Sequence, residues 1–117
     1  MLKEVSKEVE FNGKKYDLVF NLNVMQAIQK RYKTLAAWGA LTDGTANDGE
    51  TDIEALLFGV CEMLNEGIDI KNETAEKKED FFTIKQVGRL MSDFGEKELT
   101  KAVNEVVIES AGAEKNA

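Results

Sequence analysis

The sequence predicts an α+β fold, an N-terminal antiparallel β-hairpin followed by a mainly helical domain of four to five helices. Three observations predict it. Asn12-Gly13 separates two runs of alternating apolar and polar residues, the strongest short-range hairpin signal. From Asn23 onward, apolar residues recur at three- and four-residue spacing, the period of a helix with one buried face. The 117-residue chain, 43% apolar and 32% charged, fits one domain with one modest core.

The hairpin is expected over residues 4–20. A two-residue turn pairs Phe11 with Lys14, Val9 with Tyr16, Lys7 with Leu18 and Val5 with Phe20. Side chains alternate along a strand, so these residues share one face, and Val5, Val9, Phe11, Tyr16, Leu18 and Phe20 make it apolar. The other face carries Glu4, Ser6, Glu8, Glu10, Lys15, Asp17 and Val19 and is expected to be wet. A lone hairpin is marginal in water, so helices should cover the dry face.

Helices are expected over residues 23–33, 34–41, 52–66, 84–94 and 96–110. Asn23 with Gln26 suits a capping box for the first, and Thr34 restarts the chain for the second, which carries Trp38. The breaker-rich run from Thr42 to Glu50 reads as a loop. Thr51 or Asp52 opens the third helix, whose stripe is Ile53, Leu56, Leu57, Val60, Cys61 and Leu64, with Gly67 as its stop. The charge-dense segment Asp69 to Asp80 is expected to be a mobile connection. Thr83 with Gln86 forms another capping box, opening a helix through Val87, Leu90, Met91 and Phe94 that closes at Gly95. The last helix turns Leu99, Val103, Val106 and Val107 inward, and residues 111–117 read as a disordered tail.

The composition excludes much chemistry. Without histidine there is no imidazole acid–base catalysis, no Ser-His or Cys-His nucleophile and no histidine-built zinc site. The single cysteine, Cys61, lies on an apolar helix stripe beside Glu62, a setting for a buried thiol rather than a reactive one. The acidic loop fails the calcium-loop pattern: with Gly49 at its sixth position, the first falls on Gly44 and the twelfth on Ala55. Glu62 and Glu66 share a helix face, but nothing in the sequence marks a pocket around them. No cofactor, metal or catalytic residue is therefore expected, and the chain reads as a non-enzyme. A net charge of −7 disfavours nucleic acid and anionic membranes as partners. No run of apolar residues is long enough to span a bilayer, and Met1 to Glu8 carries charges where a signal peptide needs an apolar stretch. A reduced, cytoplasmic setting fits best. Two features suit protein binding instead: Phe81-Phe82 before a helix cap, and Trp38 beside a loop.

The run Phe11-Asn12-Gly13-Lys14-Lys15-Tyr16-Asp17-Leu18-Val19-Phe20, continuing from Leu22 to Leu35, resembles the start of tail assembly chaperones of long-tailed bacteriophages and prophages of Gram-positive hosts. The later helices, including Thr83-Ile84-Lys85-Gln86-Val87-Gly88, extend the resemblance over nearly the whole chain. Lys33-Thr34 departs from the Gly-Ser usual in that family. The resemblance implies a protein that binds the tape measure protein, keeps it soluble while tail-tube subunits polymerise, and is absent from the mature virion. It implies residence in the bacterial host cytoplasm and contact with the tail-tube protein. It also implies a longer frameshifted form of the chain; codons for Glu114-Lys115-Asn116 can form an A-rich slippery run. It leaves open a homo-oligomer. Leu35, Trp38 and Leu41 are the expected partner-binding residues, lining a groove for a client helix. The rival reading is an acidic nucleic-acid mimic that inhibits a host defence enzyme. It is disfavoured because fifteen basic residues are interspersed among the acidic ones.

Overall fold

β1 (Val5–Phe11) and β2 (Lys14–Phe20) pair antiparallel in the register the turn dictates, from Val5 opposite Phe20 to Phe11 opposite Lys14. Gly13 takes φ +79°, the left-handed conformation that such a turn demands and glycine adopts without strain. The chain then runs through α1 (Leu22–Tyr32), α2 (Leu35–Asp43), α3 (Ile53–Asn72) and α4 (Ile84–Phe94), and residues 101–106 are again helical. This computed structural model describes residues 5–11, 13–94 and 101–106. Gly95, most of the helix expected at 96–110 and the tail expected at 111–117 lie outside the described residues. So do Glu4, Asn12 and the side chains of Val5, Phe11 and Phe94.

The architecture is α+β, with α3 at its centre. This helix packs against β2, α1, α2 and α4. Its buried face (Leu56, Val60, Met63 and Leu64) meets Leu18 and Phe20 of the hairpin, Val24 and Ile28 of α1, Trp38 of α2 and Val87 of α4. Ala102, Val103 and Val106 complete the same core. Lys7 of β1 forms an ion pair with Glu105, tying the hairpin to the 101–106 stretch and holding the Glu105 carboxyl below its ordinary pKa.

Helix starts follow side-chain capping. Thr34 Oγ1 accepts the Ala37 N–H at 3.0 Å, and Asp52 Oδ1 accepts the Ala55 N–H at 3.0 Å. At α4 the capping box is complete: Thr83 Oγ1 accepts from the Gln86 N–H at 3.1 Å, and Gln86 Oε1 accepts from the Thr83 N–H at 2.9 Å. The first helix departs from expectation. Asn21, not Asn23, caps it by accepting the Val24 N–H at 3.2 Å, so α1 begins at Leu22. Asn23 instead reaches across to Glu66.

Three further corrections concern α2, α3 and its approach to the hairpin. α2 runs on to Asp43 and stops at Gly44, whose φ of +89° ends a helix cheaply. Gly67 does not stop α3, which continues to Asn72, so residues 69–72 are helix rather than connection. A Cβ at Gly67 would stand 2.9 Å from the Asp17 carbonyl oxygen and 3.4 Å from Val19 Cγ2. The missing side chain lets α3 lie against the backbone of β2. That approach also covers Val19, which is buried although strand alternation places it on the face expected to be wet.

Candidate protein-binding surface

The expected partner-binding residues lie inside the protein or at the edge of its core. Trp38 is 1% exposed, its indole N–H donates to the Ala55 carbonyl at 2.9 Å, and its ring rests on Gly59. Burial and that hydrogen bond make it a core residue, not a groove anchor. Leu35 and Leu41 are half-buried and pack against the same cluster. The three do not form an open groove.

A partly open cleft lies elsewhere, between the first turns of α3 and the side of α4 that faces it, with buried Leu56 and Met91 at its base. Ile53, Leu56 and Leu57 occupy positions i, i+3 and i+4 on α3, while Gly88 and Met91 face them from α4. Together with Ser92 they line a groove of about 350 Å³. Gly88 forms its floor: a Cβ there would meet Leu57 Cδ1 at 3.7 Å. Ile84 lies one helical turn before Gly88 on the same side of α4, outside the groove lining. Ile53, at the edge of this groove, is 46% exposed, and Ile84, outside its lining, is 40% exposed. The polar groups nearby are already engaged. Ser92 Oγ donates to the Gly88 carbonyl at 2.9 Å, and Glu54 pairs with Arg31 at 2.7 Å. Arg31 in turn lies 5.0 Å from the Phe58 ring centre, and Phe58 meets Tyr32 edge-on at 5.7 Å.

The other candidates resolve into structural roles. Glu66 accepts hydrogen bonds from Asn21 Nδ2 at 2.6 Å and Asn23 Nδ2 at 2.9 Å, fastening the start of α1 to α3. Its neighbour Glu62 borders a small cleft of about 170 Å³, and burial, then the Glu66 charge, pushes its carboxyl above the ordinary pKa. In the acidic loop, Asp43 is spent on Thr45, accepting from its N–H at 2.8 Å and its hydroxyl at 2.7 Å, which holds its pKa low. Cys61 is buried, and burial pushes its thiol up. Among the described residues, no group of three or more Cys, Asp or Glu side chains is placed to hold a metal ion. None of the helices among them is long and apolar enough to cross a membrane.

Of the two aromatic features in the sequence, one reaches the surface. Phe81 is 54% exposed, while Phe82 turns inward against Tyr16. Exposure of Ile53 and Ile84 was foreseeable in principle, because each is the first residue of a capped helix, where the core-facing stripe runs out into solvent. No protein-family model, curated protein or solved structure matches the chain.

Proposed function

We propose that this protein is a bacteriophage tail assembly chaperone that binds the tape measure protein, a long helical chain, and keeps it soluble until tail-tube subunits polymerise around it. The reading rests on the resemblance of the hairpin and its following helices to that family. The structural observation that carries it is the cleft between the first turns of α3 and α4, lined by Ile53, Leu57, Gly88 and Met91 among others, with Ile53 exposed at its edge and Ile84 of α4 exposed one turn before Gly88. A groove of this kind suits the apolar stripe of an amphipathic helix, with side chains entering at i, i+3, i+4 and i+7. The net charge of −7 favours solubility of the loaded complex. In this reading the protein works in the host cytoplasm, meets the tail-tube protein during assembly, exists also as a longer frameshifted form, and leaves before the virion is complete.

Co-expression with the tape measure protein encoded beside it tests the proposal. The client should be soluble and co-purify when the wild-type chain is present, and aggregate when it is omitted. The double variant Ile53→Gln/Ile84→Gln should remain folded and lose most of the co-purifying client. A client equally soluble with and without the chain would end the proposal.

A further inference from the structure

Residues 73–83 lead from the end of α3 to the start of α4 without regular structure, and residues 73–81 are all exposed. Two side chains of α3 fix this strap along the helix. Asn72 accepts from the Glu79 N–H at 2.9 Å and donates to the Glu79 carbonyl at 3.0 Å. Asn65, about two turns nearer the start of α3, does the same for Phe82, at 2.7 Å and 3.0 Å. Phe82 turns in against Tyr16, and its neighbour Phe81 is left outside, 54% exposed. The strap divides the surface in two. On one flank lies a cleft of about 590 Å³ whose charged residues are Lys14, Lys77, Lys78, Glu79 and Asp80. On the other lies a cleft of about 170 Å³ whose charged residues are Glu62, Glu66 and Asp69. Phe81 lines both clefts, and no other residue does.

The two clefts differ in sign. In the larger one Lys14 is matched by Glu79 at 3.3 Å, which leaves Lys77 and Lys78 against the one carboxylate of Asp80. Among the described residues neither lysine has an ion-pair partner. The smaller cleft has three carboxylates and no cation in its lining. Glu66 accepts there only from the neutral amides of Asn21 and Asn23. Burial, then Glu66, raises the Glu62 pKa, so a cation brought to this cleft would be favoured. Opposite signs on either side of an exposed aromatic make a surface complementary to itself. A half-turn about Phe81 lays the basic cleft of one copy on the acidic cleft of the other, twice over. Copies of a chain with net charge −7 repel one another on the whole, so contact between them needs local complementarity of this kind. We propose that this face is a two-fold interface between copies of the chain. The two Phe81 rings stack at the axis, and Lys77 and Lys78 of each copy meet Glu62 and Asp69 of the other. The face shares no lining residue with the α3–α4 groove, which a dimer therefore leaves open.

Sedimentation equilibrium at low salt, with protein up to about 1 mM, should show the mass rising from one chain toward two. Phe81→Ser should weaken the dimer about tenfold or more, as loss of a central aromatic does. Two charge variants carry the test further. Lys77→Glu/Lys78→Glu makes the larger cleft acidic, and Glu62→Gln/Asp69→Lys makes the smaller one basic. Each variant alone should stay monomeric while keeping the circular dichroism of wild type, because like charges now meet across the axis. Mixed one to one they should dimerise, since every lysine again faces a carboxylate, and native mass spectrometry identifies the mixed dimer by its mass. Should the second variant disturb the fold, Asp69→Lys alone, at an exposed position, takes its place. A wild-type chain that stays monomeric at 1 mM overturns the interface. So does a dimer indifferent to Phe81→Ser, or a mixture that associates no better than either variant alone. Tape-measure solubility is read with variants of Ile53 and Ile84 and is independent of these outcomes.

Discussion

Gly59→Ala is the sharpest test of the packing, because the same substitution in the preceding helix should have the opposite sign. A Cβ at Gly59 would collide with Trp38 Cζ2 and stand 2.9 Å from Cε2 and 3.1 Å from Nε1. The indole has nowhere to retreat: Trp38 is 1% exposed and its N–H is committed to the Ala55 carbonyl, one turn before Gly59 on α3. Forcing a methyl into a filled core costs about 1–3 kcal/mol. A shift that breaks the indole hydrogen bond adds about 1–3 kcal/mol, since the buried N–H is left unpaired. Against this, alanine is a better helix former than glycine by about 1 kcal/mol. The net expectation is a loss of about 1–5 kcal/mol, a fall in Tm of roughly 4–20 °C for a domain of this size. Gly39, inside α2, has no atom within 4 Å of the Cβ it would gain. Gly39→Ala should therefore gain up to about 1 kcal/mol. Urea unfolding followed by the fluorescence of the lone tryptophan and by circular dichroism measures both. A Gly59→Ala protein as stable as wild type would refute the seating of Trp38 on Gly59.

Lys33 has φ +75°, a left-handed backbone that side chains resist, at the position where α1 ends. Lys33→Gly should raise stability by about 1 kcal/mol, seen as a higher urea midpoint with an unchanged slope; a lower midpoint would contradict it. Glu62 gives a pH dependence. Its folded-state pKa lies above the ordinary 4.5 because burial, then Glu66, disfavours the charged form. The folded state holds that proton more tightly, so the stability it contributes is complete below about pH 4.5 and is lost as pH rises through the folded pKa. Glu62→Gln, neutral at every pH, should gain on wild type between pH 4 and pH 7; a difference that does not grow over this interval would reject the assignment.

Much of the fold was legible because local signals agreed with one another. The hairpin register needed only a turn length and the alternation of apolar residues, and the structure pairs Val9 with Tyr16 and Glu10 with Lys15 as that arithmetic requires. The Thr34 and Thr83 caps were legible for the same reason, each a polar oxygen placed before an apolar period. The failures came where one residue type serves two purposes. Glycine ends helices and also admits close neighbours, and nothing local distinguishes Gly67, which seats α3 on β2, from a stop. Val19 then goes inside, a consequence of tertiary approach that strand alternation cannot register. Asn21 and Asn23 both suit a cap, and the choice is settled across the chain by Glu66, which binds both side chains. The apolar surface was misplaced for a related reason. A tryptophan beside a loop resembles an interface anchor, and its burial becomes visible only with Gly59 and Ala55 facing it.

The position of the open groove follows from how α3 is used. Gly59 carries Trp38, Gly67 carries β2, Phe58 meets Tyr32 and Arg31, and Asn65 and Asn72 hold the strap. Leu56, Val60, Met63 and Leu64 are wholly buried in the core. The large apolar side chains α3 leaves exposed are Ile70 near its end and Ile53 in its first turn, and of these Ile53 lines the cleft beside α4. A substitution deeper in α3 therefore damages the fold before it reports on binding, whereas Ile53→Gln separates the two. Ile53 is 46% exposed, and a surface change of this kind should alter stability by no more than about 0.5 kcal/mol. Client retention should nevertheless fall severalfold, because the rim residue loses its apolar contact with a client helix. Urea unfolding and client co-purification on the same variant decide the matter. If stability falls in step with retention, the groove is core that happens to be uncovered, and the client must be held elsewhere.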